Sequence, residues 1–404
     1  METTQPKTTI MTKRTSRLHF LDAIRAFAIL MMLQGHFVHS LLGDVYRDKN
    51  NIVYTIWEYF RGMTAPTFFT ITGFIFTYLL LKQNTKGIDN PRVLKGIKRA
   101  TKVIFWGYLL RLSFYAVFTG TVNPSFFYVD VLQCIGTSLL LLIGVYLILS
   151  QINEAWFQNV ILGIGVIIFL LQPIYGSCIL EFLPQTVANY FTNRNGSIFT
   201  LLPWFGYVCI GSFMASLFLK YGKQKMFYPY AAIMLLSIGV VLVFYSSTML
   251  MVVYRMTGVG IFKSVAYNNF LFIRLGNVCM LFSVFIMMKN YFTNHMITKI
   301  GGSTLSIYIV HFFVLYGSWF GLGLSRFFYH SLTPIQTFIG ALLFIIGVCA
   351  IVLCYYKYEE ELKLQTHHVF KSTNQKIKAV LPEAFILFRN TIIRTYRNIR
   401  YTRR

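Results

Sequence analysis

Residues 18–42, LHFLDAIRAFAILMMLQGHFVHSLL, decide the class of fold. The stretch is apolar enough to cross a bilayer, yet it carries Asp22, Arg25, His36 and His39. Ionisable side chains at membrane depth are costly unless they face a bundle interior or a wet cavity, so they mark functional sites by default. Arg25 and His36 are separated by close to three helical turns, which puts them on nearly one face about 16 Å apart along the axis. Asp22 can pair with Arg25 on that face, and His39 lies about 60° around the helix from His36. A guanidinium near one end and an imidazole near the other suit an elongated ligand held at both ends. The same residues also read as a structural ion pair and an interfacial histidine, because buried ion-pair networks serve stability as well.

The remaining sequence agrees with a membrane protein. Of 404 residues, 56% are hydrophobic and 12% charged, against about a quarter charged in soluble domains, and the mean hydropathy is positive. The expected fold is all-α, a polytopic transmembrane bundle of about ten spans with both termini cytoplasmic. The formal net charge of +24 collects in the loops of one side, so positive-inside topology accounts for it and no nucleic-acid partner is required. Six cysteines, most of them within apolar runs, show neither a paired framework nor metal-ligand spacing. They read as small packing residues. Although the basic segment before residue 18 resembles a signal peptide, the apolar run is long, contains ionisable groups and lacks a small-residue cleavage site, so it reads as retained.

Three regions follow: a basic cytoplasmic segment at 1–17, a membrane domain at 18–356, and a basic cytoplasmic tail at 357–404. Part of the tail alternates arginines with apolar residues as a helix on the inner leaflet does. The spans are expected near 18–42, 62–81, 103–118, 131–149, 156–171, 197–219, 227–244, 267–288, 302–322 and 334–356. The second opens with RGMTAPTFFTITGF at 61–74. There Pro66, Gly73 and the hydroxyls of Thr67, Thr70 and Thr72 suggest an interrupted helix lining a cavity; the plainer reading has the threonines bonded back to their own carbonyls. In the basic stretch at 82–102, Lys95, Arg99 and Lys102 share a helical face. Such a face suits a phosphate-rich ligand or anionic lipid. Asp130 and Gln133 open the fourth span, Arg274 and Asn277 lie within the eighth, and His311 within the ninth. Each needs a polar partner or a ligand, and for His311 a bond to a neighbouring helix serves equally well.

Asp22, Arg25 and His36, with APTFFTITGF at 65–74, VDVLQCIG at 129–136, PWFGYVCIG at 203–211 and STLSIYIVHFF at 303–313, together resemble the integral-membrane acyltransferase superfamily. That group holds the bacterial O-acetylases of surface polysaccharides (acyltransferase family 3) and the heparan-glucosaminide N-acetyltransferase type. The likeness extends over roughly 18–322, and the spacing of Arg25 and His36 is its most specific part. It implies a multi-pass protein of a bacterial cytoplasmic membrane that takes an acyl group, usually acetyl, from cytoplasmic acyl-CoA and delivers it to a sugar or glycan acceptor. The resemblance makes His36 the catalytic centre and Arg25 a required partner that also meets the coenzyme. A basic pair associated with the coenzyme falls on Arg99 and Lys102, where lysine stands in place of the family's second arginine and loses a bidentate fork.

This chemistry suits the residues. An imidazole titrates near the operating pH, so His36 can act as general base toward a hydroxyl or amine, or take the acyl group covalently and pass it on. Asp22, His39, Thr70, Thr72, Asp130, Gln133, Arg274, Asn277 and His311 are the further candidates for orienting the acceptor or stabilising an oxyanion. The resemblance implies acyl-CoA as donor; the sequence holds no metal cluster and no Gly-rich phosphate loop that competes with this scheme, and no metal is expected. Two other classes stay open: a transporter or flippase of a lipid-linked or anionic solute, which also uses broken helices and intramembrane charges, and an inactive relative acting as a sensor or scaffold.

Overall fold

A computed structural model describes residues 18–121, 123–152, 156–177 and 182–359. The basic segment at 1–17 and the tail from 360 onward lie outside the described residues, as does Cys178. The described residues divide into two units, 18–349 and 350–359.

Among the described residues the chain is helical, without strands; the only ladder-like contacts are bridges of Leu42 to Leu332 and Ser113 to Trp319. The first helices are α1 (His19–Leu41), α2 (Ile52–Arg61), α3 (Thr64–Leu81) and α4 (Pro91–Arg111). They are followed by α5 (Phe114–Thr119), α6 (Val131–Ile152), α7 (Phe157–Leu170), α8 (Gln172–Ser177) and α9 (Gln185–Ala188). The chain continues through α10 (Leu201–Tyr221), α11 (Phe227–Phe244), α12 (Ser246–Thr257), α13 (Gly260–Tyr267) and α14 (Phe270–Met287). Last come α15 (His295–Gly302), α16 (Thr304–Tyr316), α17 (Leu324–Phe327) and α18 (Pro334–Glu359).

Seven helical segments are long and apolar enough to cross a membrane, or eight if the pair α15–α16, bent by 69°, is one broken span. The two other expected spans are helices too. The third is α4, whose first half holds Lys95, Lys98, Arg99 and Lys102, too many charges for a lipid-facing helix. The fifth is α7, with 14 residues, short of the roughly 20 that a span needs. The stretch between the seventh and eighth expected spans, with Arg255 and Lys263, reads from sequence as an outer loop but forms the helical pair α12–α13.

Local chemistry sets several boundaries. Asn90 caps α4 by accepting from the Arg92 N–H at 2.9 Å, with Pro91 in the first turn, where a missing N–H costs nothing. Its amide donates to the Leu80 carbonyl at 2.9 Å and the Tyr146 hydroxyl at 3.3 Å, tying the end of α3 and the body of α6 to the start of α4. Pro66 does not break a span as the sequence suggested. It stands in the first turn of α3, and the interruption falls before it, between α2 and α3. Gly73 of α3 and Gly211 of α10 let these helices touch backbone to backbone: a Cβ on Gly73 would collide with the Val208 carbonyl, and one on Gly211 with that of Thr70. Small residues at such crossings are how helices pack where lipid removes the hydrophobic drive. The result is a close seam, across which Ser212 Oγ donates to the Gly73 carbonyl at 3.4 Å.

Candidate active site

The helix α1 is the wall from which the site is built. Arg25 Nη2 donates to Thr304 Oγ1 at 3.1 Å, and His36 Nδ1 shares a hydrogen bond with the Tyr316 hydroxyl at 2.8 Å. Thr304 and Tyr316 are the first and last residues of α16. The axial rise between them, about 18 Å, nearly equals the roughly 16 Å from Arg25 to His36. The two helices therefore run in the same direction side by side, joined at both ends through the residues the sequence singles out. Asp22 is buried and lies 3.8 Å from Arg25 Nη1. It supports the guanidinium from its own helix.

Arg25 and His36 open on one cavity of about 920 Å³. Arg99 also lines it, together with His39, Thr72, Asp130 and Arg274. Of the basic pair on α4 only Arg99 reaches this wall. Lys102, one turn further, is exposed and outside the lining. The end near His36 is closed by the segment after α16, in which Gly317 has φ 66° and Trp319 φ 72°. Trp319 Nε1 donates to the Leu109 carbonyl at 2.7 Å, and the Phe114 N–H donates to the Trp319 carbonyl at 3.1 Å, so this cap is fastened to α4 and α5.

His36 has one ring nitrogen engaged and the other left for the cavity. With Nδ1 held by Tyr316, the tautomer that donates to the phenol oxygen leaves Nε2 with a free lone pair. The Tyr316 hydroxyl also accepts from Ser40 Oγ at 3.4 Å. His311 is fully buried behind this pair, its ring 5.4 Å from that of His36 and 4.8 Å from that of Tyr308. It is a packing neighbour of His36, outside the cavity lining.

The other expected residues divide between wall and scaffold. Asp130 lines the cavity, but its carboxylate accepts from Arg111 Nη2 at 3.0 Å and from the Val131 N–H at 2.8 Å, where it caps α6. Gln133 is buried beneath it and accepts from the Asp130 N–H at 3.2 Å. Thr67 donates to the Met63 carbonyl at 2.8 Å, as the plainer reading of that stretch expects. Thr70 is buried at the seam between α3 and α10, away from the cavity. Asn277 accepts from the Tyr59 hydroxyl at 2.9 Å and joins α14 to α2.

Sequence reasoning missed Arg61, Thr304, Tyr308 and Tyr316, all of which line the cavity. Arg61 stood at the head of the stretch quoted at 61–74, one residue outside the expected second span, so the rule for ionisable residues inside the membrane, applied to Arg274, did not reach it. Nothing local flagged Tyr316, since an aromatic at the end of an apolar helix is ordinary in membrane proteins.

Residues 17–252 match the sequence model of a family described as heparan-alpha-glucosaminide N-acetyltransferase, catalytic. The match takes in Arg25, His36, Arg61, Arg99 and Asp130, and ends before Arg274, Thr304, His311 and Tyr316. No curated protein matches the chain.

Proposed function

Since this chain belongs to the heparan-alpha-glucosaminide N-acetyltransferase catalytic family, a family of membrane acetyltransferases, we propose that it moves an acetyl group from acetyl-CoA to a sugar hydroxyl or amine, with His36 as the catalytic residue. One observation carries this reading: Arg25 and His36, about 16 Å apart along one helix, open on the same cavity. A donor whose phosphates lie by Arg25 and Arg99 extends its pantetheine arm along α1 and brings the thioester to the imidazole. The basic flanks at 1–17 and 82–102 favour a cytoplasmic position for the Arg25 end.

In direct transfer, His36 Nε2 takes the proton from the acceptor O–H or N–H as that atom attacks the thioester carbonyl. The tetrahedral intermediate collapses, the C–S bond breaks, and the proton on Nε2 passes to the departing thiolate. In covalent transfer, Nε2 itself attacks, the C–S bond breaks and CoA leaves as thiolate from an acyl-imidazolium; the acceptor then displaces the imidazole from the acetyl carbon, and the acceptor's proton passes to the CoA thiolate. Tyr316 serves both routes by fixing the ring and its tautomer. The site residues agree with either.

The test is transfer of radiolabel from acetyl-CoA in membranes holding the wild type or His36→Ala at matched protein level, with glycans and lipids counted separately. Label lost by a factor of about 10² to 10⁴ in the variant is the expected outcome. Equal labelling would remove His36 from catalysis. Absence of label from the wild type across sugar and lipid fractions would instead favour the transporter reading, for which the 69° bend between α15 and α16 is the structural argument.

A further inference from the structure

The end of the cavity around His36 holds more positive charge than catalysis by an imidazole requires. Arg61 packs its stem against Gly35, beside His36: a Cβ on that glycine would touch Arg61 Cγ at 3.4 Å. Arg274 arrives from α14, its Nη2 3.4 Å from where a Cβ on Gly62 would sit. Both side chains are half-buried and both line the cavity. Among the described residues neither guanidinium has a hydrogen bond or a carboxylate ion pair; their recorded partners are aromatic faces, Trp57 at 5.5 Å for Arg61 and Phe270 at 5.4 Å for Arg274.

The acidic groups nearby offset this charge only in part. Asp130 is held by Arg111 at 3.0 Å. Glu58 lines the cavity one turn before Arg61 and acts on its charge, but makes no ion pair within 4.0 Å. Arg47 is directed to the carbonyls of Leu42 and His39 and to Asp44. Arg274 Nη2 reaches Gly62, the residue next to Arg61 in the chain, and the partial removal of both guanidiniums from water carries a desolvation penalty. The scaffold nevertheless keeps Arg274 there: Asn277, one turn along α14, accepts from Tyr59 of α2 at 2.9 Å and locks the two helices together.

We propose that Arg61 and Arg274 form an anion subsite for the acceptor, so that the substrate class is a phosphorylated sugar or a phosphate-linked glycan, with its phosphate bound between the two guanidiniums and its hydroxyl or amine presented to His36. This rests on the transferase reading for the word acceptor, but the subsite itself is separately measurable. A pair of guanidiniums supplies up to ten N–H donors in planar forks suited to phosphate oxygens. Two positive charges also match a phosphate monoester, about −1.5 to −2 at neutral pH. The coenzyme phosphates belong at the other end, with Arg25 and Arg99.

The experiment measures thermal stabilisation of the full chain in phosphatidylcholine nanodiscs, at saturating CoA, by glucosamine, glucosamine 6-phosphate and inorganic phosphate. Glucosamine 6-phosphate and phosphate are expected to raise the melting temperature, and glucosamine at the same concentration is not. In Arg61→Gln and in Arg274→Gln the apparent Kd for glucosamine 6-phosphate rises at least about tenfold, while Arg61→Lys recovers part of the loss. Wild-type binding in both Gln variants, equal binding of glucosamine, or loss of all anion binding once CoA is saturating would overturn the subsite, the last because CoA phosphates would then occupy the pair. Repeating the measurement in discs containing phosphatidylglycerol separates the sources. Suppression of the phosphate effect there assigns the pair to a lipid phosphate, and an unchanged effect assigns it to a soluble one. Failure of acetyl-CoA itself to stabilise the wild type would sink the transferase reading and leave anion binding standing.

Discussion

The two ends of α1 are built on opposite principles. At the Arg25 end the guanidinium has a carboxylate on its own helix and a hydroxyl on α16, so its position is over-determined before any ligand arrives. At the His36 end the imidazole is fixed by one phenol, and the arginines around it face the cavity against aromatic neighbours, with no carboxylate among the described residues within 4.0 Å of either. The first arrangement suits a fixed anchor for one ligand chemistry. The second suits a site whose charge balance is completed by a substrate, because desolvated like charges are tolerated only where something else supplies the opposite sign.

Substitutions sharpen this contrast in a graded series. The largest effect after loss of His36 itself is expected at Arg25. Arg25→Lys keeps the charge beside Asp22 but cannot serve Asp22 and Thr304 from one planar fork, so kcat/KM for acetyl-CoA should fall about 10- to 100-fold, the range of one charged hydrogen bond. A variant with unchanged donor kinetics would break the comparison at its firmer end. Tyr316→Phe removes the bond to His36 Nδ1 and should lower kcat about 5- to 10-fold with the KM for acetyl-CoA unchanged. If that KM moves instead, Tyr316 shapes the donor channel and does not orient the histidine. The smallest effects separate the basic residues of α4: Arg99→Gln, which removes a charge from the cavity wall, should raise the donor KM a few-fold, and Lys102→Gln, outside the lining, should leave it within about twofold. Donor kinetics of the two variants side by side would check the pair.

Much of the membrane architecture was legible from hydropathy alone, including α1, α11, α14 and α18, whose bounds fall within a few residues of the expected spans. Charged or short helices were harder. The basic stretch at 82–102 showed its helical face but stood apart from the span expected from 103, whereas in the structure one helix runs through both, started by Asn90 and tied to α6 through Tyr146. The segment between α11 and α14 reads as a loop for its arginine and lysine, yet the chain folds it into two short helices. Within the site, the shared face of Arg25 and His36 was a matter of helical period. Asp130 was visible only as an isolated carboxylate, and its role as cap and partner of Arg111 needed the structure.

By itself the sequence determined that this is a helical membrane protein, and it marked the helix whose ionisable residues open on the cavity. Periodicity acts within one helix, so it ordered Asp22, Arg25, His36 and His39 without reference to anything else in the chain. Only the tertiary structure decided what stands opposite them: Thr304 and Tyr316, separated by 279 and 280 positions from their partners on α1, and the approach of Arg274 to Gly62. Those pairings depend on which helices touch, and that is settled by backbone approach at residues such as Gly73 and Gly211, whose lack of a side chain carries no label of the partner it admits.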